Sequence, residues 1–391
     1  MKSGKPARPP QPVILYHHRT QGVDAQGIHV REMCRAFERL GFTVIKISLH
    51  ADEQVGKASR SGFVSLLAAR LPRLAYEMLE LGYNLVGVTR LVAAVALHRP
   101  RFIYERYCLF NVSGALASKL TGTPLAQEVN SPLAHEKSLH GGLVLKTLAQ
   151  RMETFIVQSA HTTFAVSGVL KSMLVAQGAL GDHITVMPNG VNPDEYRDIP
   201  PSGRDAPGGA GGIVIGFTGW FRPWHGLAEM TRALDDHGIF QAGGRLLLVG
   251  DGPARPDIER VVRERSLAGH ITITGPADRA QLLAHLGRME IALQPAATAY
   301  ASPMKLFEYL AAGKAVVAPD QANIREVVRH GEQALLFPPG DFAACAEAVS
   351  LLMADRELRQ KLGEAGRRSI AANGRTWDAN AARVAKLMAR S

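Results

Sequence analysis

The chain has 391 residues, 46% of them hydrophobic and 20% charged, which is too long for one ordinary core, comfortable for two, and too apolar for a disordered protein. A net charge of +10 favours acidic partners such as nucleic acid, anionic lipid headgroups or phosphorylated small molecules. The charge is dispersed and no recognition module is visible, so a nucleic-acid partner is not expected. Cys34, Cys108 and Cys345 lack metal-ligand or redox spacing and read as buried, reduced thiols of a cytoplasmic protein.

Residues 1–12 are basic and proline-rich without an apolar run of signal-peptide length, so secretion is not expected. A strand at 13–16 follows, then a polar loop at 17–27 containing Gly22 and Gly27. Val30, Met33, Cys34, Phe37 and Leu40 recur on one helical face, Gly41 stops that helix, and 44–47 is the next strand. In 57–101, Leu74, Met78, Leu81 and Leu85 are interleaved with Lys57, Arg60, Arg70, Arg73 and Arg90. That pattern fits a basic amphipathic segment lying on an anionic membrane, or a helix pair packed on the first sheet with solvated arginines. No stretch reaches the roughly 18 uninterrupted apolar residues of a membrane span, since 85–98 is short and carries Arg90, and no crossing is expected.

Further strands are expected at 102–104, 125–129, 155–157, 163–166 and 184–187. Pro, Gly, Ser and Ala then dominate 200–212, marking a domain junction. Strands at 213–217, 246–249, 271–273, 291–293 and 316–318 alternate with helical segments, and the end of the chain, around Trp377 and 381–388, is helical. This alternation argues for an α/β fold with two Rossmann-like parallel-sheet halves.

The most informative chemistry lies at 301–313. Ser302 reads as an N-cap, Pro303 as the first helical residue, Leu306, Phe307 and Leu310 as an apolar stripe, and Gly313 as the stop. Lys305 in the first turn opposes the helix dipole at a cost of roughly 0.3–1 kcal/mol. The segment is therefore either a capped surface helix with an incidental lysine or a seat for a diphosphate, with Glu308 one turn on to accept hydroxyl groups. The loop 216–226 leaves the first strand of the second half, where glycines admit phosphates closely and Arg222 could grip one or simply be solvated. Gly250 lies in a strand-to-turn transition, and 275–279 could border a base. In the first half, Glu105, Arg106, Glu128 and Asn130 fall at strand ends. The two carboxylates read as polar contacts or as structural partners of an arginine, and an amide at Asn130 cannot act as a general base. There is no Asp-any-Asp triplet, no zinc spacing, no Gly-x-Ser-x-Gly elbow around Ser167, which reads as a helix N-cap, and no complete Walker A or Gly-x-Gly-x-x-Gly after the first strand.

The stretch Ser302-Pro303-Met304-Lys305-Leu306-Phe307-Glu308-Tyr309 resembles the donor-site motif of the retaining glycosyltransferases of family 4, the glycosyl transferases group 1, which have the GT-B fold. Residues 216–226 resemble that family's glycine-rich donor loop, with His225 where lysine and Trp220 where arginine is common. Val249-Gly250-Asp251-Gly252-Pro253, the "EVNxPL" run at 128–133 and the "PNGV" at 188–191 appear in the family's order. The resemblance implies two Rossmann-like domains facing across a cleft: an acceptor domain at 1–205, joined by the C-terminal helix 374–391, and a nucleotide-sugar domain at 212–373. It implies catalytic roles for Lys305, Glu308 and Asn130, and donor contacts from Gly219, Arg222, His225, Gly250, Tyr300, Ser302, Pro303, Met304, Lys305 and Glu308. Tyr300 stands where a glutamate normally touches the donor sugar. Gly22, Gly27, Glu105, Arg106, Glu128 and Asn130 fall on the acceptor side. The implied activity is retaining, metal-independent transfer from a nucleotide-sugar to a sugar or lipid-linked acceptor in polysaccharide or lipid-linked glycan synthesis, with no cofactor, in the cytoplasm or at the inner membrane face. A non-catalytic nucleotide-sugar-binding GT-B subunit and a UDP-sugar 2-epimerase remain alternatives.

Overall fold

The computed structural model describes residues 11–19, 25–48, 72–139, 142–200 and 212–390, which form two compact units, Met1–Met187 with Trp377–Ser391 and Pro188–Thr376. In the first unit the strands are β1 (Val13–His17), β2 (Thr43–Ile47), β3 (Phe102–Arg106), β4 (Leu125–Val129), β5 (Thr162–Ala165) and β6 (Ile184–Val186). They pair in parallel in the order β2-β1-β3-β4-β5-β6. The order reverses between β1 and β3, so the loops leaving those strands diverge and open a crevice at their carboxyl ends.

The second unit contains β7 (Ile213–Thr218), β8 (Gly244–Val249), β9 (Ile271–Ile273), β10 (Ile291–Leu293), β11 (Ala315–Pro319) and β12 (Ala334–Phe337) in the order β12-β11-β10-β7-β8-β9. Its switch point lies between β7 and β10. Apolar side chains leave each strand on alternate faces: Leu246 and Leu248 enter one core with Val317 and Phe217, while Leu247 and Val249 enter the other with Val316 and Phe307. Two buried faces explain why these strands read as unbroken apolar runs.

Several expectations require correction. Residues 155–157 are not a strand but the end of the helix Lys146–Ser159, whose buried positions Ala149, Glu153, Ile156 and Val157 follow a helical period. The strand β12 went unpredicted because Ala-Leu-Leu-Phe carries no β-branched residue. Residues 188–200 belong to the second unit, since Tyr196 and Ile199 are buried in its core beside Phe307. The first unit is completed by the helix Trp377–Met388, which packs on the helix Ala25–Arg39. Gly27 lies inside that latter helix rather than in the preceding loop, and Gly22 lies outside the described residues.

The helix Arg73–His98 is, by length and composition, long and apolar enough to cross a membrane, contrary to the expectation from 85–98 alone. In the fold it docks on the first unit. Tyr83, Gly87, Leu91 and Ala94 are buried, and a Cβ at Gly87 would lie 2.2 Å from the Ser113 hydroxyl, so glycine lets the helix Ser113–Thr121 approach. Glu77 accepts the backbone N–H groups of Val144 and Leu145 at 2.7 and 2.8 Å.

Candidate functional site

In the second unit the helix Met304–Ala311 follows β10 and brings its first turn to the carboxyl end of β7. Pro303, not Ser302, is its N-cap, and no side chain caps this end. The reason is a competing partner: the Ser302 hydroxyl accepts the Asn189 N–H at 3.0 Å, and the Asn189 amide donates to the Ser302 carbonyl at 2.7 Å. Asn189 thus fixes the approach to the helix, a role that its place in the "PNGV" run does not reveal. Gly313, with φ of 67°, ends the segment as expected.

Lys305 reaches across the switch point. Its ammonium lies 3.9 Å from the Phe217 ring centroid and 3.5 Å from His225 Nε2. Gly219 has φ of +125°, and a Cβ there would stand 3.4 Å from Lys305 Nζ. Glycine therefore leaves room in front of the ammonium. Burial pulls the Lys305 ammonium down to about 7, against the opposing pull of Glu308. Burial, then the charges of Lys305 and Arg222, push His225 down to about 3. His225 Nδ1 accepts the Arg222 N–H at 3.3 Å. A neutral imidazole thus stands at the position where lysine is common in the family, which leaves Lys305 as the group that can carry positive charge deep in the site. Arg222 is exposed, its guanidinium 5.3 Å from the Trp224 ring centroid.

Glu308 and Tyr309 lie three and four residues beyond Lys305. The Tyr309 hydroxyl accepts the Thr218 N–H at 2.8 Å, tying the helix to the end of β7. Glu308 Oε1 accepts from Arg279 at 2.7 Å and from the Tyr196 hydroxyl at 2.9 Å, while Oε2 has no hydrogen-bond partner among the described residues. Arg279 and Tyr196 carried no signal beyond the position of Arg279 at a strand-end loop. Gly250 serves the backbone: with φ of +135°, a Cβ would fall 2.0 Å from the Gly219 carbonyl oxygen, so glycine alone lets the two loops interlock. Gly219 and Phe221 donate to the Val249 and Asp251 carbonyls at 2.9 and 2.7 Å. Tyr300 is half-buried in the connection after β10, which Asn323 shapes by donating to the carbonyls of Thr298 and Ala301 at 3.1 and 2.7 Å.

In the first unit Glu128 is the centre of a buried network. It takes donors from Arg106 at 3.0 Å, Tyr104 at 2.5 Å, His29 at 2.7 Å and the Asn130 amide. Burial raises its carboxyl, but His29 and Arg106 outweigh this and hold it well below the usual carboxylate range. Glu105 is likewise enclosed, receiving His17 and the Gly114 N–H at the switch point between β1 and β3. Both glutamates and Arg106 are thus buried with partners inside the first unit, while Glu105 Oε1 has no hydrogen-bond partner among the described residues. Asn130 is half-buried, and with its NH2 on Glu128 its carbonyl oxygen is turned to accept.

Two family descriptions match the chain: "Glycosyl transferase 4-like domain" over residues 25–190 and "Glycosyl transferases group 1" over 212–355. Similar proteins include the 2-deoxystreptamine glucosyltransferase of Streptomyces kanamyceticus, 25% identical over 84% of this chain and 89% of that protein. The phosphatidyl-myo-inositol mannosyltransferase of Mycobacterium leprae is 32% identical over 49% of this chain and 50% of its own length. The match to an exopolysaccharide phosphotransferase of Streptomyces coelicolor, 33% identical over 36% of this chain, spans 14% of that protein. Among solved structures, the sucrose-phosphate synthase of Thermosynechococcus elongatus superposes with a TM-score of 0.73 at 19% identity, covering 97% of this chain and 99% of that one. Anabaena Alr3699/HepE, solved with UDP-glucose, does so with a TM-score of 0.68 at 17% identity, covering 97% and 100%. The chain belongs to the group 1, family 4 glycosyltransferases, a class of transferase enzymes, and has the GT-B fold.

Proposed function

We propose that this protein moves a sugar from a nucleotide-sugar to a hydroxyl acceptor with retention at the reacting carbon and without a metal ion, in polysaccharide or lipid-linked glycan synthesis. The observation that carries the reading is Lys305 at a helix N-terminus without a side-chain cap, with room kept in front of it by Gly219. A diphosphate placed there meets the helix dipole, backbone N–H groups and an ammonium together. Glu308 Oε2 then accepts from the ribose hydroxyls one turn along.

In this reading the bond from the sugar carbon to the diphosphate oxygen breaks while a bond to the acceptor oxygen forms on the same face, and the acceptor proton passes to the departing diphosphate. Lys305 stabilises the negative charge that develops there. Asn130 accepts a hydrogen bond from a sugar hydroxyl and takes no proton. Support for the donor class comes from the Anabaena structure with UDP-glucose, and support for sugar or lipid-linked acceptors from the glucosyl- and mannosyltransferase relatives. The protein then works in the cytoplasm against an anionic membrane. The support for that contact is the helix Arg73–His98, which leaves Leu79, Leu85 and Leu97 61%, 78% and 76% exposed; residues 57–71 of the candidate segment lie outside the described residues.

Calorimetric titration with UDP, GDP, ADP and their sugar conjugates tests the reading. Micromolar binding of one nucleotide that Lys305→Ala abolishes is expected. No binding to the wild type would overturn it.

A further inference from the structure

Arg279 is the first residue of the helix Arg279–Arg288, directly after the N-cap Asp278. A cation there faces the positive end of the helix dipole, as Lys305 does in its own helix. Its fork is held by carboxylates instead of by solvent. Nε and Nη2 reach Glu195 Oε2 at 2.7 and 2.5 Å, and Nη1 reaches Glu308 Oε1 at 2.7 Å. Nη2 also donates to the Tyr196 hydroxyl at 2.6 Å, which donates onward to Glu308 Oε1 at 2.9 Å. The buried phenol therefore has both its donor and an acceptor site used, in one direction, from guanidinium to carboxylate.

Two donors on one oxygen restrict a carboxylate whose terminal torsion is otherwise broad. Oε1 is turned to Arg279 and Tyr196, and Oε2 is left for a ligand. The restraint also matters for Lys305. Lysine and glutamate three residues apart on a helix are neighbours that readily pair, yet Lys305 and Glu308 make no ion pair here. Held by Arg279, the carboxylate does not close on the ammonium.

We propose that Arg279 is a positioning residue that turns Glu308 toward a nucleotide ribose and so sets the preference for ribose over 2′-deoxyribose donors. This rests on the reading of Glu308 as the ribose acceptor. In this proposal the guanidinium acts through the carboxylate and not on the ribose itself.

Calorimetric affinities of UDP, GDP and ADP, each compared with its 2′-deoxy form, test the proposal. A hydrogen bond to a charged acceptor corresponds to roughly ten- to hundredfold in affinity, so the wild type is expected to favour the ribose form by about that ratio. Arg279→Met should bring the ratio to within about threefold of unity, Arg279→Lys to an intermediate value, and Arg279→Met should add nothing further in a Glu308→Gln background. If Arg279→Met does not melt cooperatively, Tyr196→Phe, which removes one donor to Oε1, carries the same comparison. A discriminating wild type with an undiminished ratio in these variants would overturn the positioning role. A wild type that binds the nucleotide but does not discriminate would remove the ribose contact at Glu308 and the proposal with it.

Discussion

The site carries one group whose charge changes within the physiological range, and this allows a sharp test of donor binding. Lys305 ordinarily titrates near 10.4, but burial at the end of β7 brings it down to about 7, so the empty site holds a full cation only below that pH. The sign follows from linkage. On the proposed function, a donor diphosphate binds the ammonium, the bound form keeps its proton, and affinity falls as pH rises through about 7. Roughly nine-tenths of the lysines are charged at pH 6 and one-tenth at pH 8, so the dissociation constant of a nucleotide-sugar should rise about tenfold over that interval. A nucleotide-sugar is the right probe because its diphosphate is esterified at both ends and lacks the terminal phosphate ionisation near pH 6. His225, held at about 3, stays neutral throughout and adds no slope. Calorimetry in buffers of different ionisation enthalpy should show proton uptake at pH 8 and almost none at pH 6. Lys305→Arg, which cannot lose its charge, should bind with a flat profile. A flat wild-type profile, or an equal slope in Lys305→Arg, would refute the assignment of Lys305 to the diphosphate.

Four other outcomes follow from features already described. Glu128→Ala leaves His29 and Arg106 buried without their carboxylate and should cost about 3–5 kcal/mol in chemical denaturation. Because its carboxyl lies below the usual range, Glu128 contributes its full stabilisation at neutral pH and loses it as acid passes below about pH 4; Glu128→Gln should flatten that acid limb. Tyr309→Phe strips a buried Thr218 N–H of its partner and should lower stability by roughly 1–3 kcal/mol by denaturant titration, while an unchanged midpoint would mean another acceptor takes over. Anionic vesicles should sediment the protein at low salt and release it at high salt, with Leu79→Glu and Leu85→Glu weakening recovery; equal recovery with neutral vesicles would remove the membrane contact.

The parallel sheets were legible because their strands are buried on both faces and read as short apolar runs between helical periods. Ile156 and Val157 broke that rule, since β-branched residues on a buried helical face look like a strand when the period is not followed back to Ala149 and Glu153. The lysine on the first turn of its helix was equally legible, as a conflict with the dipole. What local pattern could not supply was long-range competition. Ser302 is an adequate N-cap by type, but Asn189, 113 residues earlier, takes its hydroxyl. Glu308 likewise looked open to hydroxyl groups, whereas half its carboxylate is occupied by Arg279 and Tyr196, which the topology brings from two other segments. Glu105 and Glu128 sit at strand ends suited to ligand contacts, and only the fold shows how completely they are enclosed.

The second unit is an insertion in the first, and its two ends run side by side: Val191 donates to the Arg375 carbonyl at 3.2 Å and bridges Thr376. The helix that closes the first unit comes only after that insertion, with Trp377 against His29 at 4.7 Å between ring centroids and Asp378 on Arg39 at 2.5 Å. On the ribosome, therefore, the usual order of domain completion is reversed. The second unit can mature as it emerges, while the first holds an open face on the helix Ala25–Arg39 until the last of its segments is made. A chain arrested between the two stages carries a finished second unit beside an unfinished first one, and that nascent species is where a chaperone or a protease would find its substrate.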